Sequence, residues 1–264
     1  MSKPRLCFTL LYGGGKFHLS RNFNLQSVGD FEWLLENYEF ESIVRSVDEL
    51  IILNVERKER DFEEFLKTLN KLLKHCFMPV AIGGGIRSSD DAGLLFNNGA
   101  DKIILNTSYF ENPTLVNSLV EKYGAQSIIA SIDFKRDELG CEHVYSNNGT
   151  KKIDLTLPEV IQLVKTFGAG EIMLNSINQD GTGMGFDMLS LKTVHNLCDL
   201  PIIASGGGDT SEHLMNGLTS GYASAVTSAH LFNFMGDGIQ DTRNQLISKS
   251  VALCNWNFDN ILKS

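Results

Sequence analysis

The chain has 264 residues, 42% of them hydrophobic, and a formal net charge of −9 at pH 7. This length can bury a large core, and the acidic balance argues against a general nucleic-acid surface, because neutralising phosphates requires clustered Lys and Arg. The N-terminus lacks a signal-peptide pattern, and no apolar run reaches the roughly 18 residues of a membrane span, so we expect a cytoplasmic protein. The five cysteines lack metal-ligand spacing, and we expect neither a metal nor a cofactor.

Short apolar runs alternate with amphipathic stretches along the chain, which is the pattern of strands joined by crossover helices in a parallel sheet. The predicted strands cover residues 5–11, 49–54, 79–83, 102–106, 127–133, 171–176, 201–205 and 223–228. Eight such units in about 250 residues predict an α/β fold of the (β/α)8 TIM-barrel class, whose active site forms from the loops that follow the strands. Residues 135–153 alternate around an Asn-Gly turn, so we expect a β-hairpin inserted after the fifth strand.

Two glycine runs anchor an internal repeat in this pattern. The runs beginning at Gly83 and Gly206 follow the third and seventh strands, and Gly99 and Gly221 fix the offset between the halves at 122 residues. A half-barrel alone would leave sheet edges unpaired. The repeat therefore predicts one closed domain over residues 1–264, with half-barrels at about 1–123 and 124–264.

Each glycine run precedes a helix that begins with Ser or Thr, and each half also has a small polar strand end. Glycine lets the backbone approach an anion while the helix N-terminus presents free N–H groups, although tight turns also use Gly for conformational reasons. Two such cradles at symmetric positions predict a ligand with two phosphoryl groups. The predicted phosphate- or substrate-binding residues are Gly84, Gly85, Asn106, Thr107, Asp180, Gly181, Gly206, Gly207, Ser228 and Ala229.

Asp133 ends the fifth predicted strand, where barrel enzymes keep their acid and base groups, and it is the predicted catalytic residue. The alternative is an ordinary polar cap at a strand end. The matching position in the first half is Leu11, so a pair of carboxylates, one per half, would have lost a member. Asp180 either binds substrate or shapes its glycine-rich loop. His18 and His230 lie in or near the same loops, without a Cys or Ser partner that the sequence identifies.

Four charged residues open predicted strands and therefore lie at the opposite end of the barrel, its bottom. They are Arg5, Glu49, Lys102 and Glu171. Four charges pointing into a narrow ring are costly unless they pair with one another. The pattern by itself predicts either a stabilising salt-bridge ring or a functional one.

Several segments together resemble the cyclase subunit of imidazole glycerol phosphate synthase along essentially the whole chain. They are GGGIRSSDDA, GADKIILNTS, ENPTLV, YGAQSIIASIDFKR, GAGEIMLNSINQDGT and LPIIASGGG. The resemblance implies a half-barrel-repeat enzyme that receives ammonia from a glutaminase subunit docked on the barrel bottom and adds it to a bis-phosphorylated substrate. It also implies that the ring of four charges gates the ammonia passage.

At the mouth the chain departs from this family. Asp133 falls on one of the family's two catalytic aspartates, whereas Leu11 occupies the position of the other and cannot transfer a proton. Asn54 stands where an Asp is usual, Asn175 replaces a Thr and Leu19 replaces a Lys. The segment TSAHLF carries one extra residue upstream.

The departures, together with the segments LLYGGGKF and CFMPV, are similar to a paralogous branch associated with acetamidino groups on sugars of surface polysaccharides. The favoured interpretation is an ammonia-accepting synthase subunit that works with a glutaminase and converts an acetamido sugar nucleotide to its acetamidino form. One alternative is the histidine-pathway cyclase itself. Another, of a different class, is a non-catalytic barrel that binds and activates a glutaminase.

Overall fold

The computed structural model describes residues 3–38, 40–57, 61–229 and 238–254. Within these ranges the strands are β1 (Arg5–Gly13), β2 (Lys16–Arg21), β3 (Asn24–Gly29), β4 (Glu49–Asn54), β5 (Val80–Gly83), β6 (Lys102–Leu105), β7 (Ile128–Arg136), β8 (Glu142–Ser146), β9 (Lys151–Lys152), β10 (Glu171–Ser176), β11 (Ile202–Ser205) and β12 (Ala225–Ser228). The helices are α1 (Phe31–Tyr38), α2 (Phe40–Ser46), α3 (Phe62–Leu73), α4 (Ser89–Asn97), α5 (Thr107–Glu111), α6 (Pro113–Tyr123), α7 (Leu157–Phe167), α8 (Met188–Leu197), α9 (Ser211–Thr219) and α10 (Gly238–Ser248).

A closed barrel of eight parallel strands is formed within the described residues. Its strand order is β1-β4-β5-β6-β7-β10-β11-β12, and β12 pairs with β1 to close it. Helices lie between consecutive strands of the barrel. The predicted (β/α)8 fold is confirmed, and all eight barrel strands fall where the sequence predicts them.

Local sequence signals account for the helix starts that follow the strands. Ser88 caps α4, and its hydroxyl accepts from the Asp91 N–H while the Asp91 carboxylate accepts from the Ser88 N–H. Thr156 and Glu159 form the same reciprocal capping box at α7. Each box satisfies two backbone donors that a helix N-terminus would otherwise leave unpaired.

Side chains alternate between the two faces of each barrel strand, as the two-residue period of a strand requires. On β1 the residues Leu6 and Phe8 face the layer of helices, whereas Cys7 faces the barrel interior. The interior cluster is apolar and comprises Cys7, Ile51, Ala81, Ile104, Ile129, Met173, Ile203 and Ala225. It separates the bottom of the barrel from the mouth.

Two hairpins extend from the mouth of the barrel. The predicted one is present: β7 continues past the barrel to Arg136 and pairs antiparallel with β8, and Asn147 and Asn148, both at positive φ, then turn the chain into β9. The second hairpin, β2–β3, follows β1 and pairs with it at Leu11. The sequence reasoning did not predict it. None of the helices in the described ranges is long and apolar enough to span a membrane.

Candidate active site

The carboxyl ends of the barrel strands surround a cavity of about 420 Å³. Inward-facing residues of four strands line it at one level, two from each half of the chain: Leu11 on β1, Leu53 on β4, Asp133 on β7 and Asn175 on β10. In β-sheet register Leu11 is paired with Leu53, and Asp133 with Asn175. At this level β1 and β4 therefore give the cavity an apolar wall, and β7 and β10 give it a polar one.

Asp133 is buried, with 8% of its surface exposed, and three side chains donate hydrogen bonds to its carboxylate. Asn106 Nδ2 lies 3.2 Å from Oδ2, and the Ser131 hydroxyl and Asn175 Nδ2 each lie 3.3 Å from Oδ1. Burial nevertheless raises the pKa of the Asp133 carboxyl from 3.8 to about 7, with a smaller contribution from Asp180. A carboxyl with that pKa can both donate and accept a proton near neutral pH.

Leu11 occupies the first-half counterpart of Asp133 and is equally buried. No carboxylate replaces the missing one at this level of the mouth among the described residues that line the cavity. The acidic side chains that do line it are Asp133, Asp180 on the loop after β10 and Glu111 at the end of α5. Proton transfer at the Leu11 wall therefore has no side chain to carry it.

The predicted residues of the first cradle lie together. Gly84, Gly85, Asn106 and Thr107 all line the larger cavity, and Arg87 lies beside them. Gly84 and Gly85 have positive φ values of 94° and 80°. A Cβ at Gly84 would collide with the carbonyl oxygen of Asn54, so close backbone approach alone already requires glycine there.

The second cradle is smaller. Its predicted residues line a separate cavity of about 200 Å³ and are Asp180, Gly181, Gly206, Gly207, Ser228 and Ala229. Asp180 and Ala229 also line the larger cavity, so the two spaces adjoin. Asp209 and Arg21 line the second cradle as well, and Leu19 is on its wall. The basic residue of the first cradle, Arg87, thus has an acidic counterpart, Asp209, in the second.

Asp180 joins the β10–α8 loop to the β2–β3 hairpin. Its Oδ2 accepts hydrogen bonds from the Ser20 hydroxyl and from the Phe23 N–H, the latter at 2.9 Å. Burial raises the pKa of the Asp180 carboxyl. This geometry supports the turn-shaping alternative for Asp180, although the residue also borders both cavities.

The tip of the β2–β3 hairpin crosses the mouth and is held by several hydrogen bonds. Asn22 Nδ2 donates to the carbonyl oxygens of Ile177 at 3.0 Å and Asn178 at 2.8 Å, and the Asn22 N–H donates to the Asp180 carbonyl at 2.9 Å. Asn22 and Phe23 both have positive φ, at 51° and 64°. Non-glycine residues adopt this conformation rarely, and for a bulky residue such as Phe23 it is strained. The docking contacts hold the tip in that conformation.

Sequence reasoning missed the hairpin and the residues it brings to the site. Phe23 and Leu25 line the larger cavity, and the Arg57 guanidinium donates to the Phe23 carbonyl. The sequence signal for the hairpin was the Gly14-Gly15 turn, followed by a short stretch in which apolar and polar residues alternate up to the Asn22-Phe23 turn. Asn54 is buried, and its Oδ1 accepts a hydrogen bond from the Glu56 N–H at 3.1 Å, so it supports the local loop.

Of the two suspected histidines, the structure describes only His18, and it does not enter the site. His18 Nε2 lies 2.9 Å from the Gly13 carbonyl oxygen at the base of the hairpin, and His18 does not line either cavity. His230 lies outside the described residues. Over the part of the chain that the structure describes, His, Cys, Asp and Glu form no cluster of three or more suited to a metal ion.

At the bottom of the barrel the four predicted charges form a closed ring. Arg5 pairs with both Glu49 and Glu171, and Lys102 Nζ lies 2.9 Å from Glu49 Oε1 and 3.1 Å from Glu171 Oε2. Burial opposes the charge on Lys102, but Glu49 and Glu171 together raise its pKa. The Glu49 and Glu171 side chains are nearly inaccessible, so mutual pairing offsets their desolvation.

Comparison with known proteins agrees with this architecture. Residues 22–236 match the family described as "Histidine biosynthesis protein". A protein of Parasynechococcus marenigrum (strain WH8102) named "Putative imidazole glycerol phosphate synthase subunit hisF2" is 44% identical over 257 residues, covering 97% of this chain and 95% of the relative. "Imidazole glycerol phosphate synthase subunit HisF" of Natranaerobius thermophilus (strain ATCC BAA-1301 / DSM 18059 / JW/NM-WN-LF) is 35% identical over 229 residues, covering 87% of this chain and 89% of the relative.

The match covers most of the barrel, and both relatives align along nearly their full length. Together with the closed eight-stranded barrel, these similarities identify the chain as a member of the histidine biosynthesis protein family, related to the HisF subunits of imidazole glycerol phosphate synthase.

Proposed function

We propose that the chain is the ammonia-accepting synthase subunit of a glutamine-dependent amidotransferase, and that it forms an acetamidino group on a sugar nucleotide for a surface polysaccharide. The observation that carries this proposal is the mouth of the barrel. At the level of the strand ends one carboxyl, that of Asp133, faces a wall that holds Leu11 at the counterpart position. A reaction that requires two carboxylates in the mouth would lack one of them.

Ammonia enters from the bottom of the barrel. The ring of Arg5, Glu49, Lys102 and Glu171 closes that end, and the apolar interior cluster lies between the ring and the mouth. Such an interior admits neutral ammonia more readily than ammonium, because an unpaired charge is expensive to bury. The glutaminase subunit docks on this face. Phe77, 74% exposed in the loop that leads into β5, gives the face an apolar contact point.

At the mouth, ammonia attacks the acyl carbon of the acetamido group. Once a nucleoside triphosphate has transferred its terminal phosphoryl group to the carbonyl oxygen, that oxygen leaves as inorganic phosphate, one nitrogen of the amidine product comes from ammonia, and no electrons are exchanged with a redox partner. Asp133 donates a proton to the departing oxygen and takes one from the attacking nitrogen, which its pKa of about 7 permits. An amide oxygen is a poor leaving group, so a nucleoside triphosphate that activates it is the expected co-substrate.

The two cradles bind the phosphoryl groups of the sugar nucleotide. The residues of the first cradle line the larger cavity, which also holds Asp133 and Arg87. This cavity has room for the reacting end of the substrate. The second, with about half that volume, adjoins it through Asp180 and Ala229. A diphosphate-linked substrate can span the two spaces.

The second candidate is the histidine-pathway cyclase. The 35% identity to a HisF subunit, the complete bottom ring and the two glycine cradles favour it. Leu11 opposes it. General acid–base groups contribute about 10²–10⁴-fold to a rate, so the loss of one should leave cyclase activity correspondingly low.

A direct assay separates the candidates. The purified chain is supplied with isotope-labelled ammonium and, in parallel, with the bis-phosphorylated histidine-pathway substrate or with acetamido sugar nucleotides with and without ATP. Label in an amidine product, absent in the Asp133→Asn variant, supports the proposal. Imidazole glycerol phosphate formed at the rate of a HisF subunit would replace it with the cyclase. No product from either substrate, together with stimulation of a glutaminase, would favour the non-catalytic barrel.

A further inference from the structure

The two halves of the barrel place different chemistry at equivalent positions. Asp133 lies 122 residues after Leu11, and Asn175 lies 122 residues after Leu53. The same equivalence appears in the sheet, because Leu11 is the register partner of Leu53 and Asp133 is the register partner of Asn175. Each polar residue of the second-half pair thus has a leucine as its structural counterpart in the first-half pair.

Along β4 and β10, the layers below this one are more alike. One inward position down, Ile51 and Met173 are both apolar, and at the bottom Glu49 and Glu171 are identical. Divergence between these two strands of the repeat is therefore concentrated at the level that faces the ligand cavity. Packing of the barrel does not require leucine at positions 11 and 53, because the polar side chains of Asp133 and Asn175 fill the equivalent positions in the second half.

The leucine pair forms a wall that no polar ligand group would favour. Leu11 and Leu53 both border the 420 Å³ cavity, and Leu25 and Phe23 of the hairpin extend its apolar lining. Neither leucine side chain can donate or accept a hydrogen bond. A polar substrate group placed against this wall would lose its bonds to water without replacement. The wall therefore favours contact with an alkyl group.

We propose that Leu11 and Leu53 form an alkyl subsite that determines specificity for the N-acyl group of the substrate. The subsite receives the acyl methyl group, while the acyl oxygen faces Asp133 and Asn175. This inference rests on the proposed function, and it adds a selection rule: the chain accepts N-acetyl sugars and discriminates against N-formyl sugars and free amines. One methylene in an apolar pocket is worth roughly 10-fold or more in specificity.

Binding to four probes tests the subsite. The probes are UDP-N-acetylglucosamine and its analogues with an N-formyl group, an N-propionyl group or a free amine, measured by titration calorimetry on the full chain. For the wild-type protein we expect the N-acetyl probe to bind about 10-fold more tightly than the N-formyl probe and the free amine. The Leu11→Ala variant should shift preference toward the N-propionyl probe by about the same factor, because the truncation leaves room for an extra methylene.

Matched variants control this experiment. Leu189→Ala makes the same truncation at a 61% exposed position on α8 and should leave the order of the probes unchanged. Leu53→Met keeps an apolar wall of similar volume and should keep the N-acetyl preference. If Leu11→Ala does not fold, the shift toward the N-propionyl probe is measured with Leu53→Val, which shortens the wall by one methylene.

The outcomes separate the subsite from the proposed function. Tight binding of all four probes with the same affinity would overturn the alkyl subsite and leave a sugar-nucleotide function standing. A preference for N-acetyl that Leu11→Ala leaves unchanged would place the acyl contact elsewhere and also overturn it. Failure of every probe to bind would count against both the subsite and the proposed function.

Discussion

The raised pKa of Asp133 makes the stability of the protein depend on pH. The carboxyl titrates near pH 7 in the folded state, against 3.8 as its ordinary value. Between these values the folded state binds more protons than the unfolded chain, so the free energy of unfolding falls as the pH rises. The contribution is fully present below about pH 3.8 and is lost as the pH rises through about 7.

The magnitude follows from the same two values. Each pH unit within the window costs about 1.4 kcal/mol, which gives about 4 kcal/mol between pH 3.8 and 7. This is an upper limit, because the carboxyl borders an open cavity that admits water. Asp133→Asn removes the titration. We therefore expect the free energy of unfolding of this variant, relative to wild type, to rise by about 2 to 3 kcal/mol from pH 5 to pH 7 and then to level off.

Urea unfolding of both proteins from pH 5 to pH 8.5 measures this difference. The substitution also places an amide next to the donors of Asn106 and Asn175, but that penalty shifts the whole curve and does not change its slope. Asp154→Asn, at an exposed position, controls for the loss of one negative charge. A difference between Asp133→Asn and wild type that stays flat across this range would refute the claim that burial keeps Asp133 protonated near neutrality.

Three further changes test other parts of the structure. Lys102→Met should lower the amount of product formed per glutamine hydrolysed while leaving activity with free ammonium largely intact; equal losses with both nitrogen sources would make the ring purely structural. Asn22→Ala removes two side-chain hydrogen bonds that dock the β2–β3 hairpin, worth about 1 kcal/mol each, so limited proteolysis near the tip should accelerate about 30-fold, and an unchanged rate would show that Asp180 alone holds it. Arg243→Met removes the buried ion pair between Arg243 and Asp48, so the free energy of unfolding should fall by about 3–5 kcal/mol at pH 7, and a loss below 1 kcal/mol would refute this.

The barrel and the bottom ring could be predicted from the sequence because their signals are local. Glu49 and Glu171 each open a strand at the residue where the observed strand begins, and the alternation of apolar residues fixes which side chains face inward. The 122-residue repeat also shows from the sequence alone that Leu11 occupies the position equivalent to Asp133. These inferences need only periodicity and the closure of the barrel.

The β2–β3 hairpin could not be predicted in the same way because long-range contacts hold it. Its strands are half-exposed and carry no continuous apolar pattern, and its tip is fixed by Asp180, about 160 residues away in sequence. The donors around Asp133 pose the same difficulty. Asn106 and Asn175 are recognised as its partners only when three different strands are placed side by side.

The charge ring also bears on how a chain with this internal symmetry could have arisen by duplication. Both of its cations, Arg5 and Lys102, come from the first half, whereas each half supplies one carboxylate. Two copies of the first half would assemble a ring with an excess of positive charge, and two copies of the second half would assemble two carboxylates without a counter-ion. Neutrality at the bottom of the barrel is therefore a property of the fused chain. In an ancestral homodimer of identical halves, a neutral ring at this position would have required different residues.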